Sequence, residues 1–157
     1  QGRRQVNRRR LISLAWGAPA LASLPAIAAP SLRQVEVGKN PSCGCCGAWV
    51  DHLKVAGFPV KVTLVEDTSA VRQRLGMPDR FGSCHTATVA SYTLEGHVPA
   101  EEVKRLLVLK PKAVGLAVPS MPPGSPGMEM GARKDPYNVF LIDKSGHETV
   151  FAAYPKA

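Results

Sequence analysis

The sequence is poor in aromatic residues, with two Trp, three Tyr and four Phe in 157 residues. Its formal net charge of +8 is unevenly spread, because Arg3, Arg4, Arg8, Arg9 and Arg10 all precede the first apolar run. No later segment of the sequence repeats such a basic cluster. The sequence therefore lacks the basic groove with interleaved aromatic residues that is typical of nucleic-acid binding, and we expect no nucleic-acid partner.

The sequence also lacks an apolar run long enough to span a membrane. The run from Leu11 to Leu24 is shorter than the roughly 20 residues that a spanning helix needs, and Pro19 interrupts it. Arginines precede this run, and the small residues of Ala26–Ala28 follow it, which is the order found in an export signal. We therefore predict an export signal peptide over residues 1–28. The mature domain, residues 29–157, is expected in the periplasm, with no stable membrane insertion after signal removal.

Strand and helix patterns alternate along the mature domain. Period-two and helical spacings predict strands over residues 32–37, 59–66 and 86–94, helices over 48–56, 68–75 and 99–109, and a hairpin of 137–142 and 148–154. A strand that leads into a helix with Cys-x-x-Cys in its first turn, here Cys43 and Cys46, is typical of thioredoxin-like proteins. We therefore expect a single α/β domain: a thioredoxin-like sandwich with a central mixed sheet flanked by helices.

Three of the four cysteines, Cys43, Cys45 and Cys46, fall within four consecutive residues. A thiolate at a helix N-terminus is stabilised by the helix dipole and the free N–H groups, which prepares it to bind metal or to attack a disulfide. The fourth cysteine, Cys84, is followed directly by His85. A loop beside a strand could bring this pair back to the helix tip.

Three interpretations of these cysteines stay open. Two disulfides, Cys43 with Cys46 and Cys45 with Cys84, are compatible with an oxidising export compartment. A thiol-disulfide oxidoreductase would use Cys43 and Cys46 but gives Cys45 no role. A metal site uses all of the thiols, because crowded thiolates are good ligands for soft metal ions. The crowding favours the metal site.

Three methionines, Met121, Met128 and Met130, lie in a segment whose Pro and Gly content disfavours regular secondary structure. Core packing is the ordinary role of methionine, and we expect it of the isolated Met77. A thioether sulfur, however, prefers Cu(I) to harder ions. The three clustered methionines therefore favour copper over zinc as the bound metal.

The four histidines divide into two groups. His85 adjoins Cys84, and His97 precedes a predicted helix, so both are candidate metal ligands. His52, on the first predicted helix, and His147, at the final hairpin, are expected to be in solvent.

Four motifs occur in order along the mature chain. They are Cys-Gly-Cys-Cys-Gly at 43–47, Ser-Cys-His-Thr-Ala at 83–87, Glu-Gly-His-Val-Pro at 95–99, and the Met, Pro and Gly segment at 119–129. Together they resemble the exported copper-resistance proteins of the CopG type, a thioredoxin-like metal-binding family. The resemblance implies a periplasmic protein of copper resistance or homeostasis that binds Cu(I) in a multi-copper cysteine cluster and interconverts Cu(I) and Cu(II).

The resemblance also implies which residues bind the metal. Cys43, Cys45, Cys46 and Cys84 match its cysteine ligands, and His85, His97, Met121 and Met128 match its motif positions, whereas Met130 lies just beyond the shared stretch. The implied partners are copper ions and periplasmic copper efflux or resistance proteins. Catalytic turnover as a copper oxidoreductase stays open, and the alternative function is a periplasmic thiol-disulfide oxidoreductase that uses Cys43 and Cys46.

Overall fold

The computed structural model describes Gly2 and residues 32–156, so the predicted export signal lies, apart from Gly2, outside the described residues. The elements are β1 (Val35–Lys39), α1 (Gly44–Val55), β2 (Val60–Leu64), α2 (Thr68–Arg74), a 3₁₀ helix (Asp79–Phe81), β3 (His85–Val89), β4 (Tyr92–Gly96), α3 (Ala100–Leu109), β5 (Gly115–Val118), β6 (Tyr137–Ile142) and β7 (Glu148–Tyr154). Within the described part of the chain, none of the helices has the length and apolar character needed to cross a membrane.

All seven strands form one sheet in the order β2-β1-β3-β4-β5-β6-β7. β1 is parallel to β2 and β4 is parallel to β5, whereas the other neighbours are antiparallel. The predicted α/β fold with a central mixed sheet is thereby confirmed. The passage from β1 into a helix that begins with the cysteines is compatible with a thioredoxin-like sandwich.

The two faces of the sheet carry separate cores. Helices α1 and α3 cover the larger core, which includes Trp49, Leu53, Val103 and Leu106 packed with Val35, Val37, Leu94 and Leu116 of the strands. Each such side chain contributes about 1.5–3 kcal/mol when it is fully buried. The smaller core, on the other face, contains Met77, Phe81, Ala117 and Ile142. Met77 therefore packs as predicted.

Helix α1 begins at Gly44, earlier than the predicted start at Ala48. Glycine and cysteine are poor helix formers, so local propensity does not extend the helix over the cysteine motif. Tertiary packing does, because Trp49 and Leu53 bury one face of α1 in the core and Cys46 is buried in its first turn. Cys45 and Cys46 thus belong to the helix, and Cys43 is its N-cap residue.

The single strand predicted over residues 86–94 is wrong. This segment contains β3 and β4, which pair antiparallel around a two-residue turn at Ala90 and Ser91. Ala90 has a φ of 53°, a conformation that hairpin turns usually give to Gly or Asn, so the sequence carries no turn signal there. Strand β5 was also missed, because a buried run of four residues shows no alternation.

Candidate metal centre

The four cysteine sulfur atoms lie together at the start of α1, all within 4.8 Å of one another. The sheet explains how Cys84 reaches the other three. β3 pairs with β1, and His85 at the start of β3 lies opposite Lys39 at the end of β1. The loop that carries Cys84 therefore meets the loop that leads from β1 into α1, as the sequence predicted.

Two of the four cysteines are oxidised. A disulfide joins Cys43 and Cys46, whereas Cys45 and Cys84 are free thiols whose sulfur atoms lie 3.7 Å apart. The Cys45 sulfur also lies 3.5 Å from that of Cys43. Of the two disulfides that the sequence allows, only the first is therefore formed. Burial, reinforced by the nearby Cys45, raises the pKa of Cys84 to about 12, so Cys84 is a neutral thiol at pH 7.

Cys84 also belongs to a second group of ligand atoms, with His85 and His97. Its sulfur lies 3.3 Å from Nδ1 of His85 and 3.2 Å from Nε2 of His97. Both imidazoles are fully buried, and the His85 ring packs against Trp49 of α1 and against the edge of the His97 ring. Burial lowers the pKa of His97, and burial together with His97 lowers the pKa of His85 to about 3. Both rings are neutral at pH 7, which is the state in which imidazole binds metals.

A hydrogen bond fixes the orientation of His97. Its Nδ1 lies 2.8 Å from the carbonyl oxygen of Pro126, which can only accept, so Nδ1 carries the proton. The lone pair of the neutral ring is then on Nε2, which faces Cys84. Protein metal sites commonly hold a ligating histidine in this way, with its second nitrogen bonded to a backbone carbonyl.

His85 has an unsatisfied nitrogen. Its ring packs against Trp49 with the ring centroids 4.3 Å apart, and its Nε2 is buried without a hydrogen-bond partner among the described residues. A buried polar atom without a partner costs about 1–3 kcal/mol. The cysteine sulfurs and two neutral imidazoles form a donor set suited to a soft metal ion.

The methionine segment, residues 119–130, lies against this cluster near both of its ends. At one end, the Ser83 hydroxyl, adjacent to Cys84, donates to the carbonyl of Ser120. At the other end, Gly127 lies so close to α1 that a Cβ atom there would be 2.7 Å from the backbone nitrogen of Trp49. The chain neighbours of Met121 and Met128 therefore contact the cysteine site.

The three methionines differ in exposure. Met121 is 47% exposed and Met130 is 73% exposed, whereas Met128 is half-buried. Met130 is thus the most exposed of the three methionines.

The prediction that His52 lies in solvent is wrong. The side chain is half-buried between α1 and α3, and its Nε2 accepts a hydrogen bond of 3.0 Å from the backbone N–H of Ala100. The first turn of α3 needs such an acceptor because its N-cap residue, Pro99, has no side-chain oxygen. His147 is exposed, as predicted.

Sequence reasoning missed one buried acid beside the centre, Glu95. The side chain is fully buried and accepts hydrogen bonds from the Thr86 hydroxyl, the backbone N–H of Ser83 and the guanidinium of Arg72. Burial raises the pKa of Glu95, and all three bonds oppose this rise. A glutamate within an otherwise buried strand was the signal that could have identified it, because buried carboxylates are rare unless they are paired.

This chain has relatives among proteins of known structure. A family model described as "Protein of unknown function, DUF411" matches residues 81–128. No curated protein matches the chain. The solved structure "Copper resistance protein copG- Form 1" is 45% identical, with a TM-score of 0.75, over 80% of this chain and 99% of that chain. "Copper resistance protein copG- Form 2" is 44% identical, with the same TM-score, over 79% and 99% of the two chains. The chain belongs to the CopG family.

The CopG resemblance that the four sequence motifs indicate is therefore confirmed. The family model covers Cys84, His85 and His97, and it extends to Met128. The Cys43–Cys46 motif lies before the range of that model. The structure joins this motif to the matched range, because it places all four cysteine sulfurs at one site.

Proposed function

We propose that this CopG-family protein is an exported copper-binding protein that sequesters Cu(I) at its cysteine and histidine cluster. The observation that carries the proposal is the position of Cys84, whose sulfur belongs both to the four-cysteine group and to the group with two histidines. The solved relatives are titled copper resistance proteins, which supports copper as the metal.

The donor atoms suit copper in its reduced state. Thiolate sulfur and thioether sulfur are soft ligands that select Cu(I), and imidazole also binds copper. Nδ1 of His85 lies 3.3 Å from the Cys84 sulfur, and the Nε2 lone pair of His97 faces the same sulfur. The residues therefore fit the proposed cargo.

Copper binding by all four cysteines requires reduction of the Cys43–Cys46 disulfide. The four sulfur atoms already lie within 4.8 Å of one another in the oxidised chain, so reduction provides ligands without a large movement of the backbone. Binding also displaces the proton of Cys84, because the thiolate is the form that ligates metal. Thiolates that are shared between ions hold several copper ions jointly, which supports a multi-copper cluster.

The same cysteines provide a route for interconversion of Cu(I) and Cu(II). Oxidation of the Cys43 and Cys46 thiolates to the disulfide releases two electrons, which match the reduction of two Cu(II) ions to two Cu(I) ions. Reduction of the disulfide by an external thiol restores the two ligands. We propose this stoichiometric exchange as the redox chemistry of the site.

The decisive experiment is anaerobic loading of the reduced protein. Cu(I) is supplied from a chromophoric chelator, and bound copper and zinc are then counted by elemental analysis. We expect more than one copper ion per chain and retention of copper in the presence of excess zinc. A Cys84→Ser chain should lose most of the bound copper. A reduced wild-type chain that binds no Cu(I) would contradict the proposal.

Export is tested separately from metal binding. The predicted signal over residues 1–28 leads us to propose a mature periplasmic chain that begins near Ala29. N-terminal sequencing of the protein from a periplasmic extract should find this start. Recovery of the chain in the membrane fraction with residues 11–24 retained would contradict it.

A thiol-disulfide oxidoreductase is the second candidate, and the Cys43–Cys46 disulfide at the start of α1 favours it. Cys43 is half-buried and so is partly open to attack, but the Cys45 thiol, 3.5 Å from its sulfur, competes for any mixed disulfide. The two candidates differ in their need for Cys84. Catalysed reduction of insulin that persists in Cys84→Ser would favour the oxidoreductase, whereas copper binding requires Cys84.

A further inference from the structure

The fully buried Glu95 side chain joins the chain segments that carry three of the candidate ligands. Its Oε1 accepts a hydrogen bond of 2.7 Å from the backbone N–H of Ser83, the residue before Cys84. Its Oε2 accepts a hydrogen bond of 2.6 Å from the hydroxyl of Thr86, the residue after His85. One carboxylate therefore holds the Cys84–His85 pair from both sides.

Glu95 also lies two residues before His97, at the end of β4. Thr86 and Glu95 are direct partners in the β3–β4 ladder, so their side chains lie on the same face of the sheet. The bonds to Ser83 and Thr86 thus connect the strand that leads to His97 with the loop that presents Cys84. Cys84 Sγ and His97 Nε2, which are 3.2 Å apart, come from these two segments.

Arg72 of α2 forms ion pairs with Glu95 and with Asp79. Its Nη1 lies 3.3 Å from Oε1 of Glu95, and its Nε lies 3.2 Å from Oδ1 of Asp79. Arg72 and Glu95 are both buried, so the guanidinium offsets the cost of burying the carboxylate. Neither of these two side chains is a member of the ligand groups.

We propose that Glu95 is the positioning residue of the metal centre: through Ser83 and Thr86 it fixes Cys84 between the two histidines. The inference rests on the proposed copper function. Glu95 does not itself bind the metal in this assignment. It acts by limiting the movement of the loop that presents the shared sulfur.

The test is the substitution Glu95→Gln. The amide keeps the size of the side chain and one acceptor oxygen, but it replaces the other oxygen with a donor and removes the charge opposite Arg72. Loss of groups that orient metal ligands typically weakens metal affinity by about 10–100-fold. We expect about tenfold weaker Cu(I) binding in competition with a chelator, together with an altered copper-thiolate ultraviolet absorption.

Glu102 of α3 provides a matched control. It is also buried, and it also accepts a hydrogen bond from an arginine, Arg105, at 2.8 Å. Its other oxygen lies 3.1 Å from Nζ of Lys156 and 3.0 Å from the hydroxyl of Tyr154, which Glu101 shares. Its carboxylate has no contact with the ligand groups among the described residues. Glu102→Gln should lower the melting temperature as Glu95→Gln does, and it should leave Cu(I) affinity unchanged. A merely structural role for Glu95 predicts the same copper affinity in both variants.

A second readout needs no metal. In a Cys45→Ser chain with the Cys43–Cys46 disulfide intact, Cys84 is the single free thiol of the sequence. We expect Glu95→Gln to increase the alkylation rate of Cys84 several-fold in this background, because the loop moves more freely. Glu102→Gln should leave the rate unchanged.

The outcomes separate the inference from the proposed function. If wild-type protein binds Cu(I), then equal copper affinity, or an equal alkylation rate, in the Glu95 and Glu102 variants would overturn the role of Glu95. If wild-type protein binds no Cu(I), the proposed function fails. The alkylation rates alone then decide whether Glu95 positions Cys84.

Discussion

The Nε2 atom of His97 lies 3.2 Å from the Sγ atom of Cys84, while Nδ1 of the same ring donates to the Pro126 carbonyl at 2.8 Å. The ring thus connects the cysteine site to the backbone of the methionine segment. Any change that displaces Pro126 should release His97 from its orientation. This dependence makes the methionine segment a part of the centre even where its sulfur atoms are exposed.

The close approach of Gly127 to α1 gives the first prediction. Gly127 has a φ of +83°, and an added Cβ would lie 2.7 Å from the Trp49 nitrogen and 2.9 Å from the Cys45 oxygen. Gly127→Ala should therefore push the segment away from α1 and move the adjacent Pro126 carbonyl. We expect a loss of stability in urea unfolding and about tenfold weaker Cu(I) affinity, since the partner that orients His97 is displaced.

Gly131→Ala is the control for Gly127→Ala. Gly131 has a similar φ of +79°, but no described atom lies within 4 Å of an added Cβ. Gly131→Ala should lower the free energy of unfolding only by the strain of a left-handed alanine, about 1–2 kcal/mol. It should bind copper with wild-type affinity. Equal effects of the two substitutions on copper binding would contradict a role for the contact with α1.

The second prediction concerns the sharing of Cys84. Because its sulfur belongs to both ligand groups, Cys84→Ser should lower the copper stoichiometry at least as much as Cys43→Ser does. Each substitution should remove more than one copper ion, because bridging thiolates hold several ions jointly. Elemental analysis of the reduced, loaded variants measures this. Independent losses of one ion per cysteine would favour separate sites.

The third prediction concerns the methionine sulfurs. Leucine keeps the volume of methionine, and such exchanges usually cost less than about 1.5 kcal/mol of stability. Met121→Leu and Met128→Leu should therefore stay folded and yet bind Cu(I) more weakly, because the soft sulfur donor is lost. Met130→Leu, at a position that is 73% exposed, should bind copper as the wild type does. Thermal melting beside chelator competition distinguishes these results. Unchanged binding in all three would remove the argument for copper over zinc that rests on this segment.

Much of the fold could be predicted from sequence because several segments carry a clear local pattern of alternation, helical spacing or turn residues. The helix over residues 99–109 and the final hairpin occur as α3, β6 and β7. The failures came where tertiary contacts override local signals. The turn at Ala90 contains neither Gly nor Asn, the residues typical of such a turn. Helix α1 extends over the cysteines because its later residues are buried.

The candidate site could likewise be predicted only in part. The approach of Cys84 to the other cysteines could be predicted, because unusual residue types mark it. The roles of Glu95 and His52 could not, because each depends on partners that are distant in sequence: Thr86 and Ser83 for the acid, Ala100 for the histidine. A single residue of common type carries no such information by itself.

The fourth prediction is a pH dependence of stability that arises from His52. Burial lowers its pKa below the usual 6.5, and the nearby Glu129 and Glu101 oppose this shift only in part. When the pKa of a base is lower in the folded state than in the unfolded state, the base takes up a proton on unfolding at any pH between these two pKa values. Its stabilising contribution is therefore complete above pH 6.5 and declines as the pH falls below that value. Protonation also opposes the bond from the Ala100 N–H, since the charged ring has no acceptor nitrogen.

His52→Gln should reduce this acid destabilisation, because the amide oxygen can accept from Ala100 at any pH. Urea unfolding of the metal-free protein between about pH 5 and pH 8 measures the slope. Part of the slope should persist, because burial also lowers the pKa of His85 and of His97. His147→Gln, at an exposed turn position outside α1 and α3, is the control substitution. If His52→Gln retains the full wild-type slope, the half-buried imidazole does not titrate with unfolding. The cap on α3 would then contribute to stability without coupling it to pH.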